Sequence, residues 1–115
     1  MALPYNFAQP PHEEAHRYFR NACIAFQKCV KTSTHIEELQ EHMLRFLDAS
    51  KQMHWKHPHT STYRKEEGEK AIANVCTQCK RYIEQLEAHP EEAQTQDLLD
   101  ALREIERLID NFQIE

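Results

Sequence analysis

The sequence predicts an all-α protein, an antiparallel up-and-down four-helix bundle with a short extended N-terminal arm. Three observations carry that prediction. Apolar residues recur at alternating steps of three and four through most of the chain, the spacing of one helical face. Prolines interrupt those runs at Pro10 and Pro11, at Pro58 and at Pro90. A single glycine, Gly68, in 115 residues leaves little material for the positive-φ turns of β-hairpins. A chain of this length makes one domain and buries roughly two-thirds of the surface it exposes when unfolded.

The elements follow in order. Residues 1–10, "MALPYNFAQP", carry Leu3, Tyr5 and Phe7 without helical spacing and read as an extended arm. Residues 11–115 form the bundle, with helices over about 11–31, 35–53, 61–88 and 91–113. The first helix places Ala15, Phe19, Ala22, Phe26 and Cys29 on one face, widened by Tyr18, Cys23 and Val30. Pro11 suits its first turn, and Glu13 and Glu14 complement the positive end of its dipole. Thr34 and Glu37 are spaced as a capping box for the second helix. That helix carries Ile36, Leu39, Met43, Phe46, Ser50 and Met53. The third runs through Tyr63, Ala71, Ile72, Val75, Cys79, Tyr82, Ile83 and Leu86, with Gly68 weakening its start. Pro90 opens the fourth, with Glu91 and Glu92 in its first turn and the stripe Leu98, Leu102, Ile105, Leu108, Ile109 and Phe112.

Charge and composition narrow the function. The net charge of -5 disfavours general nucleic-acid binding. No stretch reaches the roughly 18 uncharged apolar residues of a membrane span, and no leader pattern opens the chain, so a soluble cytoplasmic protein is expected. The cysteines Cys23, Cys29, Cys76 and Cys79 sit inside helical patterns and read as free thiols. Cys76 and Cys79, in "CTQC", fall in mid-helix rather than at a strand-to-helix junction, which favours small buried residues over a redox pair. The fourth helix is acidic; in an oligomer that face can meet a basic surface of a neighbouring copy.

Two features stand out. Residues 49–65 hold Lys51, Lys56, Arg64 and Lys65 and no acid, a +4 island in a chain whose remainder carries -9. Trp55, the single tryptophan, lies within it, outside the helical stripes. Three readings stay open: the indole folds back to seal the end of the core, the helix start beside Thr60, Ser61 and Thr62 receives a phosphate or carboxylate, or an exposed indole flanked by cations forms a protein-binding hot spot, the reading taken here. The predicted contact surface is therefore the 51–65 loop, with Trp55, Lys56, His57, His59, Arg64 and Lys65 as binding residues. On this reading the chain is a binding protein rather than an enzyme, needs no cofactor, and engages a protein partner or further copies of itself.

The second feature is histidine. The stretch "HEEAH" at 12–16 fits H-E-x-x-H, in which imidazoles at i and i+4 hold zinc and the glutamate polarises its water. At a helix start, with no strand to bind a peptide, it reads more simply as an acidic helix N-terminus with two exposed imidazoles. Bundle topology nevertheless brings His12 and His16 to the same end as His54, His57 and His59. The alternative function is thus a metal-binding protein or metal-dependent hydrolase holding zinc or another transition metal through these five histidines.

A third option rests on residues 37–41, "EELQE". This run is similar to the E-E-x-x-E motif of the MazG-type nucleotide pyrophosphohydrolases, all-helical enzymes whose acidic side chains from two helices bind magnesium. The resemblance implies Glu37, Glu38 and Glu41 as half of such a site. It covers a small part of the chain, and the family's second half, E-x-x-D, is represented by Glu66 and Glu69, without the aspartate.

Overall fold

The computed structural model describes residues 11–53 and 62–111. These form four helices: α1 (Pro11–Thr32), α2 (Ile36–Lys51), α3 (Thr62–Ala88) and α4 (Gln96–Asn111), with a 3-10 turn (Pro90–Glu92) before the last. Among the described residues about 90% are helical and none is in a strand. Each helix packs on its sequence neighbour, and α1 also packs on α4, closing the ring. Contacts fix the directions. Phe19 meets Phe46 while Phe26 meets His42, so α1 and α2 run antiparallel. His16 meets Ile109 and Cys23 meets Leu102, so α1 and α4 do as well. Glu67 pairs with Arg107 while Gln85 accepts from Gln94, completing the up-down-up-down order.

The stripes become the core. Phe19, Phe26, Leu39, Phe46, Val75, Cys79, Leu98, Leu102, Ile105 and Ile109 are wholly buried. Each large apolar side chain withdrawn in this way contributes roughly 1.5–3 kcal/mol of transfer free energy. Tyr18 departs from the predicted stripe: it is 42% exposed, and its hydroxyl donates to Asp48 at 3.4 Å. Gly68 is buried in helical backbone without positive φ, so the lone glycine serves helix packing and not a turn. No described helix is long and apolar enough to cross a membrane.

Three helix boundaries differ from the sequence reading, each for a hydrogen-bonding reason. The capping pair at the start of α2 is not Thr34 with Glu37. Ser33 takes the role: its Oγ accepts the His35 N–H at 3.1 Å and donates to Glu38 at 2.6 Å, while the N-cap His35 makes no side-chain cap bond. At its other end α2 stops at Lys51, because the N–H groups of Gln52 and Met53 turn back to Ala49 and Ser50. Met53 stays in apolar phase and is buried although it lies past the helix. The fourth helix begins at Gln96 and not beside Pro90. Proline has no N–H to extend α3, Pro90–Glu92 closes as a separate turn through Glu92 N–H to His89 and Ala93 N–H to Pro90, and Ala93 is extended. The first bond of α4 runs from Leu99 N–H to the Thr95 carbonyl.

Candidate functional site

The antiparallel order sets the start of α1, the end of α2, the start of α3 and the end of α4 at one end of the bundle. Met53 and Thr62, which bracket residues 54–61, both lie there. His54, Trp55, Lys56, His57 and His59 are outside the described residues. His12 falls in α1, and Arg64 in α3. The 51–65 segment is therefore not all loop: Lys51 closes α2, and Thr62–Lys65 form the first turn of α3.

The two island cations with described side chains share one property. Lys51 is exposed and Lys65 half-buried, and neither forms an ion pair among the described residues. Several arginines elsewhere are neutralised. Arg20 reaches from α1 to Asp110 at 2.8 Å and Glu106 at 3.6 Å on α4. Arg45 pairs with Glu41, Arg103 with Asp100, and Arg107 with Glu104. The Arg107 guanidinium, hydrogen-bonded to Glu104, holds that carboxyl below its usual range. Much of the acidity of α4 is thus matched within the chain.

His16 is where the structure adds most. The imidazole, expected in solvent, is only 8% exposed, and its Nε2 lies 2.5 Å from the Ile109 carbonyl oxygen. Ile109 is in the last turn of α4, where carbonyls have no intrahelical N–H to accept from. With the proton on Nε2 the ring donates to that oxygen and caps α4 from a different helix. One of the two imidazoles of "HEEAH" therefore has a structural partner, and its Nε2 is occupied. Replacing His16 by Ala is expected to cost about 1–2 kcal/mol, from the lost cap and the stranded carbonyl. Urea denaturation measures this, and amide exchange should speed up most in the last turn of α4; an unchanged midpoint would contradict the capping role.

Beside this cap the α1–α4 seam carries a polar row. Gln27 donates to Glu106 at 2.9 Å and to Cys23 Sγ at 3.6 Å, and Cys23 donates to the Leu102 carbonyl at 3.3 Å. Burial pushes the Cys23 thiol up to about 12. Burial, and then the neighbouring Cys76 and Cys29, push Cys79 up to about 11. All four cysteines are free. Protonated buried thiols are poor nucleophiles and poor metal ligands, so Cys23 and Cys79 serve as packing groups, while Cys76 beside them is half-buried.

The glutamates of the E-E-x-x-E run are exposed. Glu41 is held by Arg45 at 2.6 Å and Glu38 by Ser33. Among the described residues a different trio, His89, Glu91 and Glu92, brings three metal-capable donor atoms within 4.8 Å of one another. It sits at the opposite end of the bundle from His16, on the exposed surface, with His89 Nδ1 3.9 Å from Glu91. Its sequence signal is local, "HPEE", and is weak because exposed acids beside a histidine are common without a metal. Neither the α2 glutamates nor Glu66 and Glu69 join a comparable set among the described residues. Comparison with protein-family models, with curated proteins and with solved structures finds nothing that matches this chain.

Proposed function

We propose that this chain is a binding protein, an adaptor, regulatory or assembly subunit, and that the basic segment centred on Trp55 is its contact surface. The observation that supports this is the concentration of positive charge: residues 49–65 hold four cations and no acid in a chain of net charge -5. Lys51 and Lys65, on either side of residues 54–61, have no ion pair among the described residues; Lys28, Lys31, Lys70, Lys80 and Arg81 share that state, so what sets the segment apart is its run of cations without an acid. Unpaired cations around an indole suit an acidic protein surface. The indole supplies the apolar anchor, and the lysines steer the encounter and set its orientation. The four helices present that segment from a rigid base, which limits the entropy lost on binding.

The test is photo-crosslinking. The full chain carries a photoreactive amino acid in place of Trp55, or in place of exposed Thr77 as a control, and is irradiated in extract of its own cell. One dominant adduct is expected from position 55, absent from position 77 and lost when Lys56 and Lys65 are both changed to Glu. Diffuse labelling of abundant proteins, indifferent to those substitutions, would overturn the proposal.

A further inference from the structure

The outer face of α2 has a symmetry that the sequence stripe conceals. Leu44 is 63% exposed, the most exposed of the large hydrophobic side chains described, and half-buried Met43 and Leu47 extend its apolar surface towards the core. Glu37 and Lys51 stand about two helical turns before and after it in nearly the same row, since seven residues return almost to the same angle. Both are exposed, and neither has a partner among the described residues. Glu41, nearer to Leu44, is already matched by Arg45 at 2.6 Å. The row therefore reads acid, leucine, base, with the leucine at its midpoint.

We propose that this face binds a second copy of the chain, α2 against antiparallel α2, about a two-fold axis at Leu44. A two-fold operation exchanges the ends of the row, so Glu37 of each copy meets Lys51 of the other, Leu44 meets Leu44, and the Leu47 side chains flank that contact. Such a patch is self-complementary, the requirement for an isologous dimer. A parallel arrangement would instead set Glu37 on Glu37 and Lys51 on Lys51. The area sets the strength. One helix of 16 residues is about 24 Å long and offers well under the roughly 800 Å² per partner of a standard interface. The dimer is thus weak, with a Kd on the order of 0.1 mM, and it loosens with salt. Lys51 is shared with the 51–65 segment, but Leu44 and Glu37 lie outside it, so Leu44→Glu and Glu37→Lys test the dimer without touching the residues around Trp55.

Sedimentation velocity of the full chain from about 10 µM to 1 mM at low salt provides the test, with thermal melts to show that each variant folds. The parent is expected to move from monomer towards dimer across that range. Leu44→Glu should abolish the shift without loss of fold, because the side chain is mostly in solvent. Glu37→Lys and Lys51→Glu each turn both symmetry-related pairs repulsive and should weaken association roughly tenfold. The decisive sample is an equimolar mixture of these two single variants, in which both cross-pairs regain opposite charges: it should associate more strongly than either variant alone, and the double variant should recover the parent's behaviour. A parent that stays monomeric to 1 mM, with Leu44 covered by residues 1–10 or by nothing, overturns the proposal. So does association that the single variants leave unchanged, or a mixture no stronger than its components.

Discussion

Phe46→Ala is expected to remove about 4 kcal/mol of stability, well above the loss from His16→Ala. Phe46 has no exposed surface and joins two other rings: its centroid lies 5.2 Å from that of Phe19 at 50°, and 6.0 Å from that of Phe26 at 62°. Phe26 in turn stacks on His42 at 6.2 Å. Truncation forfeits the transfer free energy of the ring, leaves a cavity that three helical backbones cannot collapse to fill, and breaks two aromatic pairs worth about 0.5–1.5 kcal/mol each in favourable cases. Domains of this size hold roughly 5–15 kcal/mol in total, so the variant should be folded only in part on warming. The measurement is the urea midpoint, compared at a similar denaturant slope. A loss below about 1.5 kcal/mol would show that this ring does not organise the α1–α2 packing.

Alkaline pH is expected to produce the second large effect. The Cys23 thiol is pushed up to about 12 and Cys79 to about 11, burial being the first cause in both, while unfolded thiols ionise near pH 9. Between those values the unfolded chain has lost protons that the folded chain retains, so stability falls as pH rises. The slope is at most about 1.4 kcal/mol per pH unit for each thiol, from near pH 9 up to the folded value. Below pH 9 both states hold the protons and the effect vanishes. Cys23 has a further reason to resist ionisation, since a thiolate cannot donate to the Leu102 carbonyl. Tyr82, raised by burial, adds to the same trend above pH 10. Urea titrations from pH 7 to 10.5 should show the decline, and a Cys23→Ala, Cys79→Ala chain should show a shallower one. Equal slopes in the two proteins would mean that these thiols are not the source.

The helical stripes were legible because they depend on local spacing. Phe19, Phe26, Leu39, Phe46, Val75, Leu102, Ile105 and Ile109 could be placed inside from period alone, and all are buried. Boundaries were less legible, because backbone hydrogen bonds decide them and apolar phase does not. Met53 keeps the stripe after α2 has ended, and Pro90 starts a turn that does not become α4. The site was read least well where partners are distant in sequence. Nothing near His16 announces that its acceptor is a carbonyl 93 residues away, and an imidazole at a helix start looks like a solvent group or a ligand. The unpaired state of Lys51 and Lys65 likewise follows from three-dimensional placement. The charge island that contains them was visible from composition. Trp55 and the histidines beside it, central to that reading, fall outside the described residues.

The seam between α1 and α4 has a consequence for biosynthesis. Leu98, Leu102, Ile105 and Ile109 fill one wall of the core, and their helix is the last of the four to be made. Until residue 111 has left the ribosome, α1 to α3 can form local helix and pair side by side, but the faces of Phe19 and Cys23 lack their final cover. Native closure is therefore an event after translation of the bundle, not during it. The nascent chain passes through an interval in which an open apolar trough faces solvent or a chaperone, ended when the first helix meets the last.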